Sequence, residues 1–130
     1  MSKLEAKVGK LLKQGGFSYI REKTYNDLNL GKFRFDFFIP EINTIIEVNG
    51  QQHYYEVWGG RAGLLNQQEN DRKKISYALA NKIKMYTIPY WEIDNLYTAE
   101  DLFKEQFKVR DKWFNDKIWK EYQKTISSKK

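Results

Sequence analysis

Two short runs of alternating residues, joined by a turn, constrain the fold of this chain most. Residues 33–38 carry phenylalanine at every second position, so an extended strand places these rings on one side and Asp36 on the other. Residues 44–49 are rich in β-branched side chains and alternate in the same way around Glu47. Because residues 40–43, which begin with a proline, interrupt the two runs, the pattern predicts a β-hairpin.

The rest of the chain predicts helices and strands on both sides of this hairpin. A Gly15–Gly16 pair ends the first helix, and a Thr98/Asp101 pair resembles a capping box that begins the last one. Residues 58–63 are predicted to form a glycine-bearing loop. The further predicted elements are a helix over 4–14, a strand over 17–25, a helix over 64–80, a strand over 83–88 and a C-terminal helical segment over about 98–126.

This order predicts an α/β fold of the form αβββαβ, with a mixed central sheet followed by the helical segment. A length of 130 residues suits one domain with a single continuous core. We therefore expect one domain over 1–130, with its core over about 2–90 and a helical extension over about 98–126.

Composition excludes several classes of protein and favours one class of partner. The chain has no cysteine, which excludes disulfides, thiolate nucleophiles and cysteine-ligated zinc and favours a reducing cytoplasm. No apolar run approaches the roughly 20 residues that cross a bilayer, and no signal-peptide core is present, so no membrane is expected. A formal charge of +6 favours a polyanionic partner such as nucleic acid.

The hairpin also carries the strongest sign of chemistry. Its turn places Asp36 opposite Glu47 on one face, where two carboxylates repel each other unless a cation lies between them. Hard divalent cations prefer such oxygen ligands, and the Val48 carbonyl and Asn49 lie nearby. The alternative is a solvated polar face. We favour a metal site because apolar neighbours such as Ile45 surround the acids.

Several strings of this sequence resemble one known family. Phe35-Asp36-Phe37-Phe38 and the later Ile46-Glu47-Val48-Asn49-Gly50-Gln51-Gln52-His53 are similar to the active-site hairpin of the PD-(D/E)XK nuclease superfamily. The second string is especially similar to the very-short-patch-repair-like branch, which includes phage homing endonucleases. Asp71-Arg72-Lys73-Lys74 and Ile88-Pro89-Tyr90 continue the likeness. Residues 4–8 resemble the first helix of phage junction-resolving endonuclease I.

The resemblance implies a restriction-endonuclease-like core that hydrolyses DNA phosphodiesters with Mg²⁺, for which Mn²⁺ would substitute. It implies that Asp36 and Glu47 bind the metal and that Glu5 completes the acidic cluster. The Val48 carbonyl is a further expected metal ligand because of its place in the hairpin. An equal alternative for Glu5 is a cap on the first helix. The expected setting is the cytoplasm of a bacterial or phage-infected cell, with homing, nicking or junction cleavage as the biology.

One position departs from the family pattern. Asn49 stands where the superfamily has a lysine, so the group that orients or activates the attacking water is not assigned by position. The branch commonly uses histidine, and the lone His53 is our preferred proton carrier. Lys73 or Lys74 is the alternative source of the missing cation.

The remaining candidate residues concern Asp71 and contact with DNA. Asp71 is a further catalytic candidate, although charges of this kind usually belong to a solvated helix face. The residues expected to touch DNA are Gln51, Trp58, Arg61, Lys73 and Lys74. A homodimer would extend the recognised target. The rival interpretation is a non-catalytic nucleic-acid-binding module that retains a nuclease fold.

Overall fold

A computed structural model describes residues 2–28, 31–50 and 60–109. The elements in these ranges are α1 (Lys3–Gln14), β1 (Ile20–Lys23), β2 (Phe35–Ile39), β3 (Thr44–Asn49), α2 (Gly60–Ala80) and β4 (Lys84–Pro89). The four strands of the described residues form one sheet in the order β1-β2-β3-β4, antiparallel except for the parallel pair β3–β4. The α/β class and the mixed sheet are thereby confirmed, while the restriction-endonuclease-like core stays a prediction.

The first helix follows from local sequence signals. Ser2 caps it, because its Oγ accepts a hydrogen bond from the Glu5 backbone N–H at 3.1 Å. Its apolar stripe is buried, and Gly16 adopts a left-handed φ of 82° just beyond its end. The predicted helix and its glycine stop are confirmed.

Two clusters of buried side chains flank the sheet. The α1 cluster joins this helix, through residues such as Val8 and Leu12, to Ile46 and Val48 of β3. The α2 cluster joins Ile75 and its neighbours on α2 to the other side of β3. Every residue of β3 is buried, so the hairpin predicted to carry the chemistry lies at the centre of the fold.

The second helix begins earlier than expected. It starts at Gly60, so the loop predicted over 58–63 is wrong from Gly60 onward, and residues 58–59 lie outside the described residues. Leu64 is buried, and this packing stabilises the beginning of the helix although glycines weaken its first turn. Among the described residues, no helix is long and apolar enough to cross a membrane.

The alternation predicted for β2 fails at Phe35. Phe37 belongs to the α1 cluster, but Phe35 belongs to the α2 cluster, although two residues separated by one should share a face. On the neighbouring strand Glu22 has a left-handed φ of 54°. The register of β1 on β2 places Glu22 opposite Asp36, so both strands depart from regular alternation at the same level.

The unusual backbone of Glu22 leads to a stability prediction. A β-branched side chain is strongly disfavoured at positive φ, so Glu22→Val should lower the free energy of unfolding by roughly 1–2 kcal/mol. Glu22→Gly should change it little, because glycine adopts this conformation freely but has a more flexible unfolded chain. Urea unfolding of both variants measures the difference. If both variants lose the same free energy of unfolding, the positive φ of Glu22 is not the reason for the loss.

Over the described residues that follow Thr98, the predicted C-terminal helical segment consists of short 3₁₀ turns and is not one continuous α-helix. The Thr98/Asp101 capping box is present, but it opens a 3₁₀ turn, Ala99–Phe103, followed by a second turn, Glu105–Phe107. The Val109 N–H then donates to the Met85 carbonyl at 2.9 Å on the edge of β4. Pairing with this edge and burial of Val109 outweigh helix propensity. Residues 110–126 lie outside the described residues.

Candidate metal centre

The hairpin register brings the two predicted carboxylates together. Phe37 pairs with Ile46 across the antiparallel strands, so the next pair away from the turn is Asp36 and Glu47. The turn between the strands is a 3₁₀ turn, Pro40–Ile42, closed by Asn43 with a left-handed φ of 46°. Asparagine tolerates that conformation, so the turn chemistry agrees with the predicted register.

Each carboxylate accepts a hydrogen bond from the backbone of the opposite strand. Glu47 Oε1 accepts from the Asp36 N–H at 2.6 Å, and Asp36 Oδ2 accepts from the Val48 N–H at 2.8 Å. Charge-assisted bonds of this kind are stronger than neutral ones and fix the side chain that accepts them. The two acids are therefore held in place by the hairpin that carries them.

A lysine from α2 completes this cluster. Lys74 Nζ lies 3.0 Å from Glu47 Oε2 and also donates to the Arg34 carbonyl. The side chains of Lys74 and Glu47 are only 14% and 5% exposed. Lys73, the other sequence candidate, is exposed in a groove of about 540 Å³. Of the two lysines, Lys74 is the one that reaches the acids.

Burial dominates the electrostatics of Glu47. Loss of solvent raises the pKa of its carboxyl, and the charge of Asp36 raises it further. The Lys74 ammonium and the Asp36 N–H act in the opposite direction, and the resulting pKa is about 7 against an ordinary 4.5. The positive charge of Lys74 therefore does not fully offset the effects of burial and of the Asp36 charge on Glu47.

This raised pKa predicts how stability depends on pH. The folded protein binds the Glu47 proton more tightly than the unfolded chain, so this contribution to stability is complete below about pH 4.5 and is lost as pH rises through about 7. The loss is on the order of 3 kcal/mol. Urea unfolding of wild type and Glu47→Gln across this range isolates it, because the two proteins share their other titrating groups. Parallel curves would contradict the assignment.

The structure does not bring the other predicted acids into a larger cluster. Within the described residues, no three histidine, cysteine or acidic side chains lie close enough together to hold a metal ion. Glu5 instead forms an ion pair of 2.7 Å with Arg21. Asp71 accepts a hydrogen bond from Gln67 at 3.1 Å along α2. Their predicted roles beside the metal therefore receive no geometric support.

The remaining predicted residues have mixed positions. Asn49 is buried at the end of β3, two residues after Glu47, and Arg61 is exposed in the first turn of α2. Val48 contributes its N–H to Asp36, and a role for its carbonyl stays a prediction. The predictions for Gln51, His53 and Trp58 lie outside the described residues.

Sequence reasoning missed one residue of this region. Arg21 on β1 donates from Nε to the Asp36 carbonyl at 3.0 Å and from Nη2 to Glu5. An arginine within a strand that is otherwise predicted from aromatic and β-branched residues was the available signal. Its partners could not be predicted, because they come from α1 and β2.

The donor chemistry of the acidic pair fits Mg²⁺. This ion prefers hard oxygen ligands, keeps several waters and is commonly held by one or two carboxylates. A carboxylate has about four acceptor positions, so one carboxylate can accept hydrogen bonds and bind a cation at the same time. Burial and then the charge of Asp36 raise the pKa of Glu47, and a bound cation would favour the ionised form that both of them disfavour.

We compared the chain with known proteins, and no protein-family model, no curated protein and no solved structure matches it.

Proposed function

We propose that this protein is a Mg²⁺-dependent endonuclease that hydrolyses DNA phosphodiester bonds at Asp36 and Glu47. The observation that carries the proposal is the arrangement of these two carboxylates, fixed by backbone N–H groups, with Lys74 on Glu47. Two acids and a lysine are also the group of side chains that the resemblance implies. Here the lysine comes from α2 and not from the position of Asn49.

Asp36 and Glu47 would hold the metal through their carboxylate oxygens. A bound Mg²⁺ ion would supply Lewis-acid polarisation of the phosphate and activation of water. Hydrolysis joins the water oxygen to phosphorus, breaks one P–O bond and transfers a proton to the leaving oxygen. The rigid hairpin contributes to this reaction by keeping both carboxylates oriented without reorganisation.

Lys74 would supply the cation that the family pattern places two residues after the glutamate. Its ammonium is held by Glu47 and the Arg34 carbonyl, so its charge is fixed beside the acids. A fixed positive charge there would stabilise the negative charge that develops on the phosphate. His53 remains our prediction for the group that carries the proton.

The surface next to Lys74 suits the phosphates of DNA. Lys73 and Arg72 line the groove on α2, where Arg72 also pairs with Glu69. The Arg34 side chain is exposed as well and lies 3.8 Å from Glu22. Together with a formal charge of +6, these cations support a polyanionic substrate over a small neutral one. Their contacts would position the nucleic acid and carry little sequence information.

Incubation with linear, supercoiled and branched DNA tests the proposal. We expect cleavage of at least one form in Mg²⁺ or Mn²⁺ and none in excess chelator. Salt-sensitive binding to DNA with no cleavage under any divalent cation would favour the rival interpretation, a binding module that retains a nuclease fold. The absence of both binding and cleavage would overturn the proposal.

A further inference from the structure

Arg21 links three elements on the side of the sheet that faces α1. Its Nη2 donates to Glu5 Oε2 of α1 at 2.7 Å, and its Nε donates to the Asp36 carbonyl of β2 at 3.0 Å. The guanidinium also lies 4.5 Å from the centre of the Phe37 ring. The planar guanidinium makes these contacts through a fixed fork of donors, a geometry that a lysine ammonium does not reproduce.

The backbone of Asp36 is held by side chains from both neighbouring strands. Its N–H donates to Glu47 Oε1 on β3, and its carbonyl accepts from Arg21 on β1. The same residue lies opposite Glu22, whose left-handed backbone interrupts regular pairing. Two charged side chains, those of Glu47 and Arg21, therefore position the backbone of Asp36 on both sides of its Cα atom.

We propose that Arg21 is a positioning residue for Asp36, and that Glu5 acts by anchoring Arg21. The inference rests on the proposed function for its link to catalysis, but its structural content is independent of it. Arg21 fixes the Asp36 peptide from the α1 side, which keeps the carboxylate on the Val48 N–H at 2.8 Å. Glu5 thus serves the acidic pair through an arginine and not as a third ligand.

The first test measures positioning without metal or DNA. In Arg21→Met, which removes both hydrogen bonds, we expect the Val48 amide to exchange its hydrogen at least about 10-fold faster than in wild type. The buried Ile46 amide, on the same strand, should exchange as before. Unchanged Val48 exchange would overturn the proposal, whether or not the protein is a nuclease.

Variants of the same region separate positioning from general loss of structure. Lys23→Met is the matched control, because Lys23 lies on the same strand over the Tyr25 and Phe38 rings. Arg21→Lys keeps the positive charge but loses the fixed fork of donors, and Glu5→Gln removes the charge of the anchor. If Arg21→Met does not fold, these two variants should still show intermediate acceleration at Val48. Equal effects in Lys23→Met would overturn the proposal.

The second test connects positioning to the metal. We expect Arg21→Met to weaken Mn²⁺ binding by about 10–100-fold, the usual effect of losing a group that orients a ligand. It should lower kcat for DNA cleavage while KM changes little, and Arg21→Lys should recover part of both losses. A rise in KM alone would assign Arg21 to DNA binding and overturn the proposal. Wild type that neither binds Mn²⁺ nor cleaves DNA would overturn the proposed function, while the exchange result would stand.

Discussion

We expect Asp36→Asn to lower the rate of the proposed Mg²⁺-dependent DNA cleavage by roughly 10²–10³-fold or more, the loss typical of removing one electrostatic stabiliser of a transition state. Asparagine has nearly the same shape as aspartate, and its amide oxygen can still accept from the Val48 N–H. The variant should therefore fold as wild type does. Loss of the negative charge opposite Glu47 should also leave it at least as stable. Initial cleavage rates and urea unfolding measure the two effects.

Glu47→Gln should lose cleavage to the same extent, and Glu41→Gln is the matched control. Glu41 lies on the same hairpin but is exposed in its turn, so its loss removes an equal charge far from the acidic pair. We expect the control to cleave at the wild-type rate. If Asp36→Asn cleaves as fast as wild type, or if Glu41→Gln is equally inactive, the proposed site is wrong.

Lys74→Met should lower the free energy of unfolding by roughly 3–5 kcal/mol at about pH 8, because it leaves Glu47 buried without its cation. The loss should shrink at about pH 5, where Glu47, with its raised pKa, takes up a proton. Lys73→Met should change stability by less than about 0.5 kcal/mol, since its side chain is exposed. Urea unfolding at both pH values provides the comparison.

A double variant separates the ion pair from simple loss of packing. Lys74→Met combined with Glu47→Gln removes both charges, so most of the loss at the higher pH should be recovered. A loss that is the same at both pH values and is not recovered would show that Lys74 stabilises the fold through its hydrocarbon chain. The electrostatic account of the site would then be wrong.

The hairpin could be predicted because its information is local. Alternation in both runs and the tolerance of Asn43 for a left-handed turn determine the register that places Asp36 opposite Glu47. The sequence could also have shown that Lys74, and not Lys73, lies on the side of α2 that faces the sheet. It lies one helical turn before the buried Ala78, so the two residues share the face of α2 that points to the sheet.

Other features depend on contacts that sequence patterns do not contain. The Phe35 side chain lies on the α2 side of the sheet although alternation predicts the α1 side. This departure occurs beside Glu22, whose left-handed backbone belongs to a different strand. The chain after Thr98 leaves the predicted helix because Val109 finds a partner on the open edge of β4. The role of Arg21 likewise requires three elements to meet. Tertiary partners outweighed local propensity in each case.

Calorimetric titration of Mn²⁺ into wild type and Asp36→Asn tests the central claim most directly, because it asks whether the acidic pair binds a divalent cation. At about pH 8, where Glu47 is mostly ionised, we expect saturable binding to wild type that is lost in Asp36→Asn and kept in Glu41→Gln. At about pH 5 the binding should weaken, because the cation must displace the proton of Glu47. Equal binding to wild type and Asp36→Asn would contradict the assignment of this site.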